Sequence, residues 1–201
     1  MSVTVTWGSR FWLRLSYRLI GIFWRWDALM KLTWFGGNTF RIHAGGAIVV
    51  VEGEGALLGV DRAELVSGAD VVTRWGGRDA GSEGWKPRVP LRMLELDETV
   101  RQPEVVGLGQ GAMVVDADGE VPLVLASGDF SAGGRWMGQA VVVLIGEELS
   151  ERGAALLERA GLRLMALAGS EGEVDAAFVA LRNRLDGTGL IALERGLAVE
   201  V

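Results

Sequence analysis

Near residue 137 the hydrophobic period of this chain changes, and no single repeating architecture accommodates both parts. Before that point apolar residues recur at every second position between glycine turns, as half-buried strands require. Val3, Val5 and Trp7 alternate with Ser2, Thr4 and Thr6, and Phe11, Leu13, Leu15, Tyr17 and Leu19 alternate with Trp12, Arg14, Ser16, Arg18 and Ile20. A helix through the second run would be apolar all round, so a strand is preferred, with Arg14 and Arg18 on one face. Residues 27–35 fit neither period clearly. Further strands are predicted over Phe40–His43, Ala47–Glu52, Ala56–Val60, Val71–Trp75, Arg92–Leu96, Val105–Leu108, Ala112–Val115 and Val121–Ala126, with a helical turn at Asp61–Gly68.

Beyond residue 137 the pattern is different. Ala140–Ile145 is continuously apolar, which suits a strand buried on both faces. A helix is predicted over Glu147–Ala160, stopped by Gly161, and a strand over Leu162–Ala168. Ser170 and Glu173 are spaced as a capping box opening a second helix, with Val174, Phe178, Leu181 and Leu185 on one face and Gly187 as its stop. Leu190–Leu193 and Leu197–Val201 close as strands. The expected fold class is therefore mixed α/β. A β-rich, barrel- or sandwich-like part spans 1–136, and a small βαβαβ part spans 137–201 on a mostly parallel sheet. The two parts share one core or keep two; the pattern fits either.

Thirty glycines without a three-residue period read as many tight turns. The N-terminal residues offer no charged segment followed by an apolar block, so no signal peptide is expected. Phe11 to Met30 carries Arg14, Arg18, Arg25 and Asp27, which makes it a poor membrane span. Zero cysteines fit a reducing compartment, and a cytoplasmic location is expected. The net charge of -6 is uneven: residues 1–45 hold six basic side chains against Asp27 alone, and the remainder holds 14 basic against 25 acidic. That dipolar arrangement steers an acidic partner to the N-terminal region, or docks one part of the molecule on the other.

Reaction chemistry is sparse. The chain has eight tryptophans but one histidine and no cysteine, and His and Cys are the usual base and a usual nucleophile near neutral pH. His43 alone cannot build a typical zinc site. No Gly-x-Ser-x-Gly elbow is present. Gly107, Gly109 and Gly111 lie between predicted strands without a following helix, so the dinucleotide fingerprint fails. The two C-terminal helices open with Glu147 and Glu148, and with Glu171 and Glu173, carboxylates that satisfy the helix ends and repel phosphate. Asp116 and Asp118 resemble the opening of a calcium loop but lack its remaining ligands, and Asp118-Gly119 is a hairpin signal. Glu95, Asp97 and Glu98 read as the wet face of a strand, which disfavours carboxylate catalysis without excluding it. No metal or cofactor is expected.

Recognition chemistry is plentiful. Burying a tryptophan removes roughly 150–250 Å² from water, on the order of 4–6 kcal/mol, so most of the eight belong in the core. The informative ones have basic neighbours: Trp24 with Arg25, Arg74 with Trp75, Trp85 with Lys86, and Arg135 with Trp136. The connector Gly76–Pro90 adds Arg78 and Arg88, in a length that suggests function or disorder, and a hairpin loop whose Trp packs back on the sheet fits it equally. An aromatic with a cation can clamp a ligand at about 0.5–2 kcal/mol per contact. Together with Arg14 and Arg18, these residues form the candidate ligand surface. The favoured reading is a non-catalytic binding protein that takes an extended, acidic or aromatic peptide or protein segment at strand edges and Trp pockets, as an accessory factor presenting a peptide to a separate enzyme. A structural or assembly subunit, including a homo-oligomer, is the first alternative. Single-stranded nucleic-acid binding is the second, disfavoured by a pI near 4.9. A carboxylate-based or cofactor-borrowing enzyme is the remaining alternative.

Overall fold

The computed structural model describes residues 30–53, 59–76, 78–79, 85–88, 101–109, 111–130 and 134–201. The predicted strands at 3–7, 11–20 and 92–96, and most of 56–60, lie outside these residues. Strands β1 (Lys31–Gly36), β2 (Thr39–Ala44), β3 (Ala47–Glu52), β4 (Val71–Arg74) and β12 (Ala198–Glu200) form a five-stranded sheet ordered β12-β1-β2-β3-β4. β1, β2 and β3 are antiparallel neighbours, in a register that pairs Leu32 with Ile42 and Ile42 with Val49. The short helix α1 (Arg62–Leu65) links β3 to β4, which run parallel. Period-two alternation explains the inner face: Leu32, Trp34, Phe40, Ile42, Val49 and Val51 are all buried in one cluster. Of the ambiguous residues, those from Lys31 onward resolve in the same way, with exposed and buried positions alternating into β1, while 27–29 lie outside the described residues.

Strands β5 (Arg78–Asp79), β6 (Glu104–Gly107), β7 (Ala112–Asp116), β8 (Leu123–Ala126), β9 (Val141–Ile145), β10 (Leu164–Ala168) and β11 (Gly189–Ala192) form a seven-stranded sheet in reverse chain order. β6, β7 and β8 are antiparallel, whereas β8, β9, β10 and β11 run parallel. Helix α2 (Leu149–Arg159) joins β9 to β10, and α3 (Glu171–Leu181) joins β10 to β11. Every residue of β7, β8 and β9 is buried. The physical reason is that both faces are covered. Met113, Val115, Leu123, Leu125, Val141 and Val143 meet the five-stranded sheet. Val114, Val124, Val142 and Leu144 instead meet Leu149 and Leu156 of α2 and Ala177 and Leu181 of α3.

The molecule is thus a mixed α/β fold in three layers: sheet, sheet, helices. Both sheets draw on residues from either side of position 137, because β8 pairs with β9 and β12 returns to pair with β1. The hairpin predicted at Asp118-Gly119 forms, with Val115 opposite Leu123 and Gly119 at φ 82°. α3 stops at Leu181 rather than near Gly187. The intervening residues form turns instead, closed by Asp186 and Gly187, both at positive φ.

Candidate functional site

Among the described residues, the structure brings together some of those expected to make one ligand surface and separates others. Arg14, Arg18, Trp24 and Arg25 lie outside the described residues, and Arg78 is placed in β5. Trp75, just past β4, packs against the core between the two sheets, with Arg74 exposed beside it. Trp85 and Trp136 pack against the opposite face of the seven-stranded sheet, in the helix-side core. Their ring centroids are 4.8 Å apart at 82°, an edge-on contact. Lys86 and Arg135 point into solvent. The indole N–H of Trp85 is buried without an acceptor.

Arg88 is engaged in holding its own segment. Its backbone N–H donates to Asp116 Oδ2 at 2.9 Å, and its guanidinium donates to the Gln102 carbonyl at 2.9 Å and to Glu104. Asp116 is 2% exposed. Burial pushes its carboxyl pKa up, with Glu104 and Asp118 adding to the rise and Arg88 opposing it. Nearby, Glu120 accepts the backbone N–H of Gly45 from the β2–β3 turn, and burial raises its pKa too. Arg101 pairs with Asp118 at 3.2 Å. These groups tie loops together at the amino-terminal end of β8. His43 is exposed on the outer face of β2 with Arg41; its pKa is lowered by desolvation, then by the charges of Arg41 and Lys31.

The opposite edge is built differently. In open sheets with parallel strands, ligands enter the crevice outside the carboxyl ends of those strands. There Arg152 of α2 reaches under two loops. One terminal nitrogen donates to the carbonyls of Ile145 at 2.9 Å and Glu147 at 3.2 Å; the other donates to Ala126 at 2.8 Å and Gly128 at 3.3 Å. A planar guanidinium can join the ends of β8 and β9 in this way, whereas a lysine ammonium lacks the fork. Its Nε is buried without a partner. Burial lowers the Arg152 pKa, and the carboxylates of Asp129 and Glu148 act against that.

Asp129, Phe130 and Gly128 from the loop after β8, Leu144 of β9, and Leu156 and Arg159 of α2 line a small pocket around this arginine. Its floor is apolar, since Phe130, Leu144 and Leu156 are buried, and its rim carries a carboxylate and two cations. Glu148 sits in the left-handed region, at φ 56° and ψ 33°. For a residue with a Cβ that conformation is strained, and such strain concentrates at functional positions.

The helix ends also correct an expectation. Glu148 makes no side-chain cap on α2. Instead Glu173 Oε2, from α3, accepts the backbone N–H of Leu149 at 3.2 Å. Ser170 accepts from the Glu173 backbone N–H, so half of the predicted capping box forms while the Glu173 carboxylate turns to the neighbouring helix. Close approach of the two loops requires glycine at 169, where a Cβ would lie 2.8 Å from the Gly146 carbonyl oxygen. Asp129 and Arg152 were not marked by the sequence. The only available signal was their position, just past β8 and one turn into α2.

No family model and no curated protein matches the chain. Among solved structures it is similar to a Thermotoga maritima protein described as a "putative Zn-dependent hydrolase of the metallo-beta-lactamase superfamily". The identity is 14%, with 82% of this chain and 99% of that chain covered, and the TM-score is 0.46. Among the described residues, no group of three or more His, Asp or Glu side chains is placed to hold a metal ion. Among the same residues no helix is long and apolar enough to cross a membrane. The expectation of a non-catalytic peptide-binding protein does not hold. Among the described residues, the tryptophans named for that surface are divided between opposite faces of one sheet, Trp75 on one and Trp85 with Trp136 on the other.

Proposed function

We propose that the chain is an enzyme of the carboxylate acid–base type, acting on a small molecule at the carboxyl edge of its parallel strands. The observation that carries this reading is the Arg152 guanidinium, fixed by four carbonyl oxygens from two loops, with Asp129 and Glu148 beside it. The cavity itself is only about 10 Å³, so a substrate meets the charged rim at the surface and does not enter the apolar floor. Arg159 on the rim suits an anionic group on that substrate. In this reading Asp129 and Glu148 exchange the proton with the substrate, and Arg152 holds the loops that present them. A cytoplasmic location is part of the proposal and is supported by the absence of cysteine from all 201 residues.

The test is turnover of 4-nitrophenyl carboxylic esters and 4-nitrophenyl phosphate by the purified protein, beside Asp129→Asn and Glu148→Gln. The expected result is hydrolysis of one class, reduced about 10²-fold or more by either substitution. Hydrolysis that neither substitution alters, or no turnover of either class, contradicts the reading.

A further inference from the structure

We infer that the outward face of α3 is a self-association surface on which a second copy of this chain docks antiparallel. α3 buries Ala177 and Leu181, and packs the half-buried Val174 and Phe178 on the helix-side core. Its apolar residues nevertheless continue round the helix, with Ala176, Val179 and Ala180 exposed. Val179 is 69% exposed, more than Val72 or Leu197, the other large apolar side chains in solvent among the described residues. A helix that is apolar all round is ordinarily covered on every side.

Charge identifies the occupant. The exposed face begins with Asp175 and ends with Arg182, seven residues and about two turns later, so both lie on the side that carries Val179. Among the described residues neither has an ion-pair partner, whereas Arg184, farther along, is held by Glu158 at 3.3 Å. Asp175 and Arg182 of one molecule are about 10 Å apart along the helix and cannot meet each other. A second α3 related by a two-fold axis near Val179 brings Asp175 of each copy to Arg182 of the other. The same axis packs Val179 on its counterpart. One self-complementary patch thereby forms two ion pairs around an apolar centre, as an isologous dimer requires. This inference is independent of the acid–base reading, since the face lies on α3 away from Arg152.

One helix face covers less than the roughly 800 Å² per partner of a standard interface, so a dissociating dimer with a constant on the order of 10 µM is expected. Sedimentation velocity over a concentration series tests it, with melting curves confirming that each variant is folded. The dimer fraction should rise with concentration, and Val179→Glu should weaken it at least about tenfold. Asp175→Arg and Arg182→Asp alone should each weaken it by setting like charges opposite one another, and the doubly swapped chain should recover. A monomer at every concentration overturns the inference. So does a dimer indifferent to Val179→Glu, or a double swap no better than the single changes.

Discussion

The carboxylate of Glu173 in α3 accepts the backbone N–H of Leu149 at the start of α2, 3.2 Å away. The two helices of the outer layer are thus joined at their amino ends by one charged acceptor. It takes over the capping that Glu148, in its left-handed conformation, does not provide. Glu173→Ala should lower stability by about 0.5–2 kcal/mol, and Glu173→Gln by less, because the amide oxygen still accepts the bond. Denaturant titration checks this. Equal losses in the two variants would mean that the acceptor role is not what matters.

Arg152 should be the most sensitive charged residue at the carboxyl edge. Removing it as Arg152→Ala leaves the carbonyls of Ala126, Gly128, Ile145 and Glu147 short of a donor, at a cost of about 2–4 kcal/mol. Arg152→Lys should recover little of that, since an ammonium cannot present the same fork to two loops. A lysine variant as stable as the parent by chemical denaturation would refute the bridging role.

Asp116 and Glu120 make the pH dependence unusual. Burial raises both carboxyl pKa values in the folded chain. The folded state therefore holds these protons more tightly than the unfolded state does. Each group's contribution is complete below its unfolded value, about 4, and is lost as pH rises through the raised folded value. Asp116→Asn keeps an oxygen for the Arg88 N–H and removes the buried charge. It should be more stable than the parent near neutrality, with the difference shrinking as pH falls toward about 4. Urea unfolding of both proteins over that range decides it. A variant less stable at neutral pH would show that the Asp116 charge is favourable overall.

Trp85 and Trp136 meet edge-on while the Trp85 indole N–H lacks an acceptor. Trp85→Ala should cost about 2–4 kcal/mol through lost packing. Trp85→Phe keeps much of the aromatic contact and removes the unsatisfied donor, so it should cost clearly less. Thermal melts compare the two directly. Identical losses would show that the ring contact contributes little.

The strands and helices were legible wherever one residue pattern met one environment. Ala140–Ile145 could be read as a strand buried on both faces because its apolar run has no polar interruption, and β9 is covered by a sheet and by helices. β1 was obscured because the alternation from Lys31 to Gly36 follows directly on a run rich in aromatic residues. The pairing of β12 with β1 had no local signal at all, since it joins Ala198–Glu200 to residues about 165 positions earlier. The pocket was illegible for the same reason. Arg152 occupies an ordinary polar position of an amphipathic helix, and only the packing of α2 beneath two loops turns it into a bridge. In the described Trp-plus-cation pairs the ring packs on the protein and the cation of Arg74, Lys86 or Arg135 stays in solvent, since burying an indole is worth more than a cation–π contact, at about 0.5–2 kcal/mol. Trp75, Trp85 and Trp136 are half-buried against two core clusters on opposite faces of the larger sheet.

The most direct measurement of the proposed site is an amide-resolved NMR titration of the full chain with benzoate, an apolar ring bearing one anionic group. The account predicts saturable shifts confined to Gly128, Asp129, Phe130 and the first turns of α2, weakened at least about tenfold by Arg159→Gln. Shifts scattered over the surface, or none at these residues, would contradict a ligand site at the carboxyl edge.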